Sequence, residues 1–575
     1  MTWKLKQNLQ KILDSEQGYS IYPIGIRKHF ALIYPNSYFV GMSNLGFHII
    51  YEQINSRKDT ACERFFLPEK TELKEYERTN TPLMSLENQL PLAEFPLIGF
   101  AISFEMDYFN ILKILELGKV ELLAEKRTEK DPIVIAGGPC ATFNPEPLSP
   151  FIDVFIIGEG EETINNFLDV YHDFSQKGLS REELLLKLAQ VAGVYVPRFY
   201  QHNYDEDNKL VDIVPNSEVP AKVSRQWIQN LDDYNGRTVI VTQNTEFNLF
   251  LLETSRGCGR HCRFCMAGYC FRKPRHRSLA KLSEQLETAV SLKKKVGLMG
   301  PAISDYPQIN ELCAKIRKVD LSMSVASFRA DSVTQKLVNA LAQSGQRTLT
   351  LAPEAGSDKI RNVINKGITN EDLFKAIEMG VKAGVNNYRL YIMVGLPKED
   401  ESDIQAIIDL AITLKKYMES LKSKGSLTLS VNPFIAKPCT PFQWLAMADL
   451  KQTEKYFKQI KAGLKSQKNI EVLFESTKES YIQGILARGD RNIGKVLYEA
   501  HLNGGAKGFK RALKSFKING EAYLYRERAK DEVLPWDSLD MGFTKDYLWR
   551  ELEMALNEKN TISCFDKCKR CGVCK

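Results

Sequence analysis

Short apolar runs alternate with stretches whose apolar positions recur at helical spacing, and the chain runs through this alternation twice. In the first series residues 30–34, 97–103, 133–136 and 154–157 read as strands, and residues 45–54 and 108–117 carry the helical pattern. Apolar strands separated by helices predict a parallel, doubly wound α/β sheet of Rossmann-like form, with ligands at the strand carboxyl ends. Those ends carry Ala136-Gly137-Gly138-Pro139 and Gly158-Glu159-Gly160-Glu161. Their glycines suit close backbone approach to a ligand and equally suit plain turns. Residues 178–245 are polar and charged, with two proline-containing turns, and read as a connector with little function of its own. In the second series residues 249–253, 296–299, 323–326, 348–351, 388–394 and 427–431 read as strands. Helices at 282–292, 332–342 and 370–383 lie between them. Six such units predict a partial (β/α)6 barrel, related to the eightfold TIM barrel, with its site at the strand carboxyl ends. From 452 onward the pattern is mainly helical and basic. The expected organisation is 1–177, a Rossmann-like domain; 178–245, a connector; 246–451, the barrel; and 452–575, a helical region ending in a cysteine-rich tail.

Length and composition fit this reading. The 575 residues, 43% hydrophobic, exceed one core and predict two or three domains. The net charge of +7, from 78 basic and 71 acidic residues, is a mild pointer to a nucleic-acid or phosphate-bearing partner. The basic N-terminus is followed by no apolar stretch, and no run approaches the ~20 apolar residues that cross a bilayer. No secretory leader and no membrane partner are therefore expected, and the location is expected to be cytoplasmic.

The twelve cysteines are unevenly placed: four lie at 258–270 and four in the last twelve residues. In a reducing compartment such clustering favours metal or cluster ligation over disulfides. Cys258, Cys262 and Cys265 have the spacing Cys-x3-Cys-x2-Cys, with Phe264 before the third, and follow the first strand of the barrel series. Three thiolates on a 4Fe–4S cubane leave one iron without a protein ligand, open to a small molecule. The rival is a zinc site completed by His261, Cys270 or His276. Between Arg256 and Arg277 stand seven Lys/Arg, two His and no acid, a collar that favours a reduced cluster and attracts anionic substrates such as RNA or a phosphate-bearing metabolite. Cys564, Cys568, Cys571 and Cys574 form Cys-x3-Cys-x2-Cys-x2-Cys, a set that suits a second 4Fe–4S cluster or zinc.

The string Cys258-Gly-Arg-His-Cys262-Arg-Phe264-Cys265 resembles the signature of the radical S-adenosylmethionine (SAM) enzymes. The whole chain is similar to a radical SAM family with an N-terminal cobalamin-binding-type domain. The matching strings include Tyr34-Pro-Asn-Ser-Tyr-Phe-Val-Gly-Met-Ser-Asn-Leu-Gly46, Ile135-Ala-Gly-Gly-Pro-Cys140, Ile157-Gly-Glu-Gly-Glu161, Leu351-Ala-Pro-Glu-Ala-Gly-Ser357, Lys437-Pro-Cys-Thr-Pro-Phe-Gln-Trp444, Leu534-Pro-Trp536 and Cys571-Gly-Val-Cys574. The resemblance implies that Cys258, Cys262 and Cys265 hold the catalytic cluster. SAM would chelate the open iron through its amino and carboxylate groups. One electron, from a low-potential donor such as ferredoxin or flavodoxin, would then cleave it to methionine and a 5′-deoxyadenosyl radical. It further implies SAM contacts at Phe264, Gly297, Gly300, Ser327, Arg329, Glu354 and Gly395, and a cobalamin site touching Gly41, Gly46, Ser103, Gly137, Gly138 and Gly158. The loop Gly41-Met-Ser-Asn-Leu-Gly46 lacks the histidine that many cobalamin modules place under cobalt, and His48 reads as a core or surface residue. The expected activity is cobalamin-dependent methyl transfer to an unactivated carbon. The rivals are methylthiolation of tRNA, with the terminal cysteines carrying a sacrificial cluster, and a non-enzymatic iron–sulfur sensor or RNA-binding protein.

Overall fold

A computed structural model of the chain describes residues 2–175, 177–565 and 567–574. Its architecture is α/β, as the two alternating series predict. The first sheet contains β1 (Lys28–Tyr34), β2 (Thr60–Phe66), β3 (Leu97–Ala101), β4 (Ile133–Gly137), β5 (Val154–Ile156) and β6 (Val194–Tyr195), in the order β2-β1-β3-β4-β5-β6. Every neighbouring pair is parallel except β5 with β6. Strand order reverses between β1 and β3, so the crevice of this doubly wound sheet opens between the loops that follow them. Asn44 Nδ2 donates to Ser103 Oγ there at 3.1 Å, and Asn36 Nδ2 to Asp107 Oδ1 at 2.8 Å.

Strand β2 escapes the apolar pattern because it carries Glu63 and Arg64, yet both are buried. Arg64 pairs with Glu16 and Glu87, each at 2.6 Å, and Glu63 with His29 at 2.6 Å. Charges can be buried when paired and hydrogen-bonded, and here that substitutes for apolar side chains. The segment read as a connector is more than one: it supplies β6, a hairpin of β7 (Tyr200–Tyr204) and β8 (Leu210–Pro215), and β9 (Val223–Ser224).

The second series forms β10 (Phe250–Glu253), β13 (Val296–Met299), β14 (Met323–Val325), β15 (Thr348–Glu354), β16 (Asn387–Val394), β17 (Leu427–Pro433) and β18 (Ile470–Phe474). Two short strands, β11 (Ser255–Arg256) and β12 (Arg275–His276), pair antiparallel and bracket the cysteine loop. The parallel strands fall into two blocks, β10-β13-β14 and β15-β16-β17-β18, joined by a bridge between Phe328 and Leu351. The seventh strand, β18, carries the sheet past the expected end at 451. Its alternation of half-buried and exposed positions is that of an edge strand, which a search for fully apolar runs passes over.

After the barrel the chain returns to the first domain. Asn144 Nδ2 donates to the carbonyls of Ala487, in the last turn of helix Thr477–Arg488, and Gly489, between it and helix Arg491–Leu502, and Arg491 pairs with buried Glu146 at 2.6 Å. Strand β19 (Leu539–Asp540) pairs with β9, and helix Lys545–Leu556 then lies against the cysteine loop. Among the described residues no helix is long and apolar enough to cross a membrane.

Candidate active site

The β11–β12 bracket closes a loop in which Cys262 is buried and Cys258 and Cys265 are partly exposed. A turn sets their spacing: Cys265 N–H donates to the Cys262 carbonyl at 3.1 Å, and Gly268 N–H to the Cys265 carbonyl at 3.2 Å. Burial, then the neighbouring Cys262 thiol, raises the pKa of Cys258 and pushes that of Cys265 up to about 12. Among the described residues no three His, Cys, Asp or Glu side chains close around a single-ion position. A cubane spaces its thiolates more widely than one ion does, and three soft thiols on one tight loop are the donor set it takes when one iron is left open. The zinc alternative finds no fourth ligand at the expected positions. Cys270 is buried against Met541, His276 packs its ring on Tyr306, and His261 turns toward the tail.

Two cations flank Cys262. Arg329 Nη1 stands 3.8 Å from its sulfur, and the same guanidinium forks onto Asp331 and donates to the Lys366 carbonyl at 2.7 Å. Arg329 is thus engaged by protein groups where the resemblance assigns it to a SAM carboxylate. Glu354, at the end of β15 with φ of 67°, pairs with Lys366 at 3.0 Å, and the Lys366 ammonium lies 5.9 Å over the Phe264 ring. Burial opposes the Lys366 charge, but Glu354 and then Cys262 outweigh it and raise its pKa. Positive charge beside a thiolate stabilises the cluster's reduced form.

The remaining SAM positions divide. Gly300 and Ser327 follow β13 and β14, at the barrel mouth. Gly297 lies inside β13, where a Cβ would meet Leu249 at 2.9 Å, so it serves sheet packing and not a ligand. Gly395, with φ of 87°, follows β16 in a turn closed by Glu399, whose carboxylate accepts from the Gly395 N–H at 2.6 Å.

The six arginines of the basic collar are spent on the protein itself. Arg256 pairs with Glu253, Glu159 and Glu161; Arg260 with Asp305 and Asp331; Arg263 with Glu551; Arg275 with Glu159; and Arg277 with Glu253. Arg272 donates to the Tyr547 hydroxyl at 3.0 Å. Burial alone would raise the Glu253 carboxyl, but Arg256 and Arg277 hold it at about 2. The expectation that this run attracts an anionic substrate therefore loses its physical basis. Apart from Glu253, its acidic partners lie far along the chain, so the run read as unneutralised.

In the first domain several glycines answer to the chain's own packing. A Cβ on Gly138, at φ of 98°, would stand 2.6 Å from the Ile102 carbonyl oxygen, and one on Gly41 would stand 2.6 Å from the Phe66 ring. Gly158, at φ of 109°, lies against the Gln226 backbone, with which it forms a bridge. These three need no ligand to explain them. Gly137 has only Ile156 near its missing Cβ, at 3.9 Å, while Gly46 is exposed and Ser103 borders the strand-order reversal. His48 is buried and structural: Nδ1 lies 3.4 Å from the Ile240 N–H and Nε2 3.0 Å from the Met42 carbonyl oxygen. Of the terminal cysteines, Cys568 and Cys571 are buried and Cys564 and Cys574 partly exposed.

Residues 46–197 match the family model for radical SAM proteins, N-terminal, and residues 252–411 match that of the radical SAM superfamily. An uncharacterized protein of Methanocaldococcus jannaschii is 33% identical over 472 residues, which cover 82% of this chain and 90% of that one. An uncharacterized methyltransferase of Pyrococcus horikoshii is 26% identical over 299 residues, covering 50% of this chain and 59% of its own. Among solved structures, the cobalamin-dependent SAM radical enzyme OxsB with aqua-cobalamin bound superposes with a TM-score of 0.49 at 14% identity, over 96% of this chain and 85% of that one.

Proposed function

The chain belongs to the radical SAM superfamily, in the family of its Methanocaldococcus jannaschii relative, and from that premise we propose that it transfers a methyl group from SAM to an unactivated carbon with the help of cobalamin. One observation carries the reading: the carboxyl edges of the two parallel sheets are clasped together across the cysteine loop. Glu159 and Glu161, just after β5, take Arg256 at 3.1 and 2.8 Å, and Glu159 also takes Arg275 at 2.5 Å. Lys437, after β17, pairs with Glu105, after β3. A group held in the crevice of the first sheet therefore lies beside whatever the cluster loop binds. The name of the Pyrococcus horikoshii relative, a methyltransferase, supports the same outcome.

The crevice has a surface that suits a corrin. Phe39 and Phe104 follow β1 and β3 and are 41% and 45% exposed, and Met299, ending β13, is 37% exposed. Large apolar groups at strand ends on both sheets suit the broad apolar face of a macrocycle. Phe39, Phe104, Ser103 and Gly137 would hold it. When bound, cobalamin supplies a cobalt centre that accepts and passes on a methyl group. The chain's own residues supply the apolar walls that exclude water and the cations, Arg329 and Lys366, that favour cluster reduction. The electron is proposed to come from a low-potential donor such as ferredoxin or flavodoxin.

Binding tests the cofactor directly. After reconstitution with hydroxocobalamin and desalting, the protein should keep the corrin's visible absorption. Phe104→Ala should weaken retention by about tenfold, the scale of losing one buried aromatic contact. A desalted wild type that holds no corrin would refute the cobalamin part of the proposal.

A further inference from the structure

The arginines of the collar are neutralised by acids from elsewhere in the fold; a second basic run, in the helical region after the barrel, is not. From Ala500 to Gly520 the chain has no Asp or Glu and carries Lys507, Lys510, Arg511, Lys514 and Lys517. All five are exposed. Through the turn Gly505–Gly508 and helix Phe509–Ser515 the first four recur at intervals of three and four residues, so they share one face, and Lys517 stands just beyond the helix. Phe509, Ala512 and Leu513 are buried on the other face. Among the described residues none of the five cations is in an ion pair, and Lys510 lies 4.7 Å over the Tyr481 ring. Like charges at this spacing repel, so the stripe contributes nothing to the fold and suits an anion from outside.

The end of the stripe borders a cleft. Phe516, 42% exposed, lines it with Tyr498, Pro150, Pro197, Arg198 and Lys495, and its volume of about 450 Å³ is in the range of pockets for small organic groups. Arg198 Nη2 donates to the Ala124 carbonyl at 3.2 Å and Lys495 Nζ to Asn492 Oδ1 at 3.1 Å, so neither is paired with a carboxylate. Of the acids at the cleft, Asp153 is already paired with Arg127 and Arg181, which leaves Glu125. The cleft lies at the amino ends of β4 and β5, the edge of the first sheet opposite the crevice. We propose that this surface binds single-stranded nucleic acid, with phosphates on the stripe of lysines and arginine and an unpaired base against Phe516 and Tyr498. A basic track beside aromatic side chains holds single strands without sequence preference, the charges following the backbone and the rings stacking on bases. A duplex keeps its bases paired and stacked and offers nothing to the cleft. A membrane surface is the weaker fit, because an interfacial helix lays its apolar face in the lipid and here that face is already buried in protein. Cluster and corrin take no part in this binding.

The test is fluorescence polarisation of labelled RNA and DNA single strands of ~16 nucleotides with the full, anaerobically reconstituted chain. Affinity and its salt dependence are both read. Log affinity should fall against log salt with a slope of about −3.5, the value for about five phosphates neutralised on a single strand. Lys510→Gln/Lys514→Gln should weaken binding at least about tenfold at low salt and make the slope shallower by about 1.4. Phe516→Ala should weaken it about tenfold with the slope unchanged, as loss of stacking does. Lys375→Gln/Lys416→Gln removes the same charge from exposed positions on the barrel helices Asn370–Lys382 and Glu401–Ser420, and should leave binding as in the wild type. Binding of either strand with this pattern supports the proposal, and the tighter of the two identifies the nucleic acid. No binding to either strand at low salt overturns it, as does equal weakening by the barrel pair, which would reduce the stripe to net charge. Vesicles of phosphatidylserine and phosphatidylcholine bound through the stripe, with neither strand bound, would overturn it in favour of a membrane.

Discussion

Replacing Cys262 with alanine is expected to abolish reductive SAM cleavage and to remove about four irons per chain, the content of one cubane. The expectation follows from its place in the loop. Cys262 is the buried member of the trio, and Arg329 Nη1 stands 3.8 Å from its sulfur. Without that thiolate, two cysteines remain to hold the cubane, and Arg329 loses the sulfur beside it. Production of 5′-deoxyadenosine with dithionite should fall to the buffer background. Circular dichroism should be unchanged, because Cys262 supports no element of either sheet. Cleavage at the wild-type rate with iron retained would mean that another set of ligands holds the catalytic cluster.

The second large effect is expected at Arg263, one residue further along. Its side chain is wholly buried and makes bonds in two directions: to the carbonyls of Asn362 and Val363 at 2.9 and 3.0 Å, and to Glu551, the Lys559 carbonyl and Thr561 at 3.1, 2.7 and 3.2 Å. It thereby joins the catalytic loop, the segment before Asn365 and the tail. Arg263→Ala leaves Glu551 with an uncompensated charge and several carbonyls without donors. Breaking a buried pair in this way costs about 3–5 kcal/mol. Guanidinium unfolding should show a correspondingly lower midpoint, and proteolysis should release the tail faster than in the wild type. An unfolding free energy within about 0.5 kcal/mol of wild type would place Arg263 among ordinary surface substitutions.

The sequence makes legible what depends on local pattern. Strands at 296–299 and 388–394 show as apolar runs because no position in them but Met299 is fully exposed, and the cysteine spacing shows because a tight loop needs neighbouring ligands. What depends on distant partners stays hidden. Strand β2 is buried through Glu16 and Glu87, which lie on other segments, so its charges disguise it. Lys366 and Asn365, which flank the cluster loop, carry no local signal, because their partners Glu354, His261 and Thr561 meet them only in space. The arginine collar misled for the same reason: Glu159 and Glu161 neutralise it from the other domain. The glycines at 138 and 158 misled in the opposite sense, since their missing side chains make room for Ile102 and Gln226 and not for a ligand.

The most direct test of methyl transfer counts both products of SAM in one anaerobic reaction, with reconstituted enzyme, hydroxocobalamin and a low-potential donor. The account predicts S-adenosylhomocysteine together with 5′-deoxyadenosine. The first should depend on cobalamin, and 5′-deoxyadenosine should be absent from Cys262→Ala. Formation of 5′-deoxyadenosine with no S-adenosylhomocysteine, cobalamin present, would contradict it.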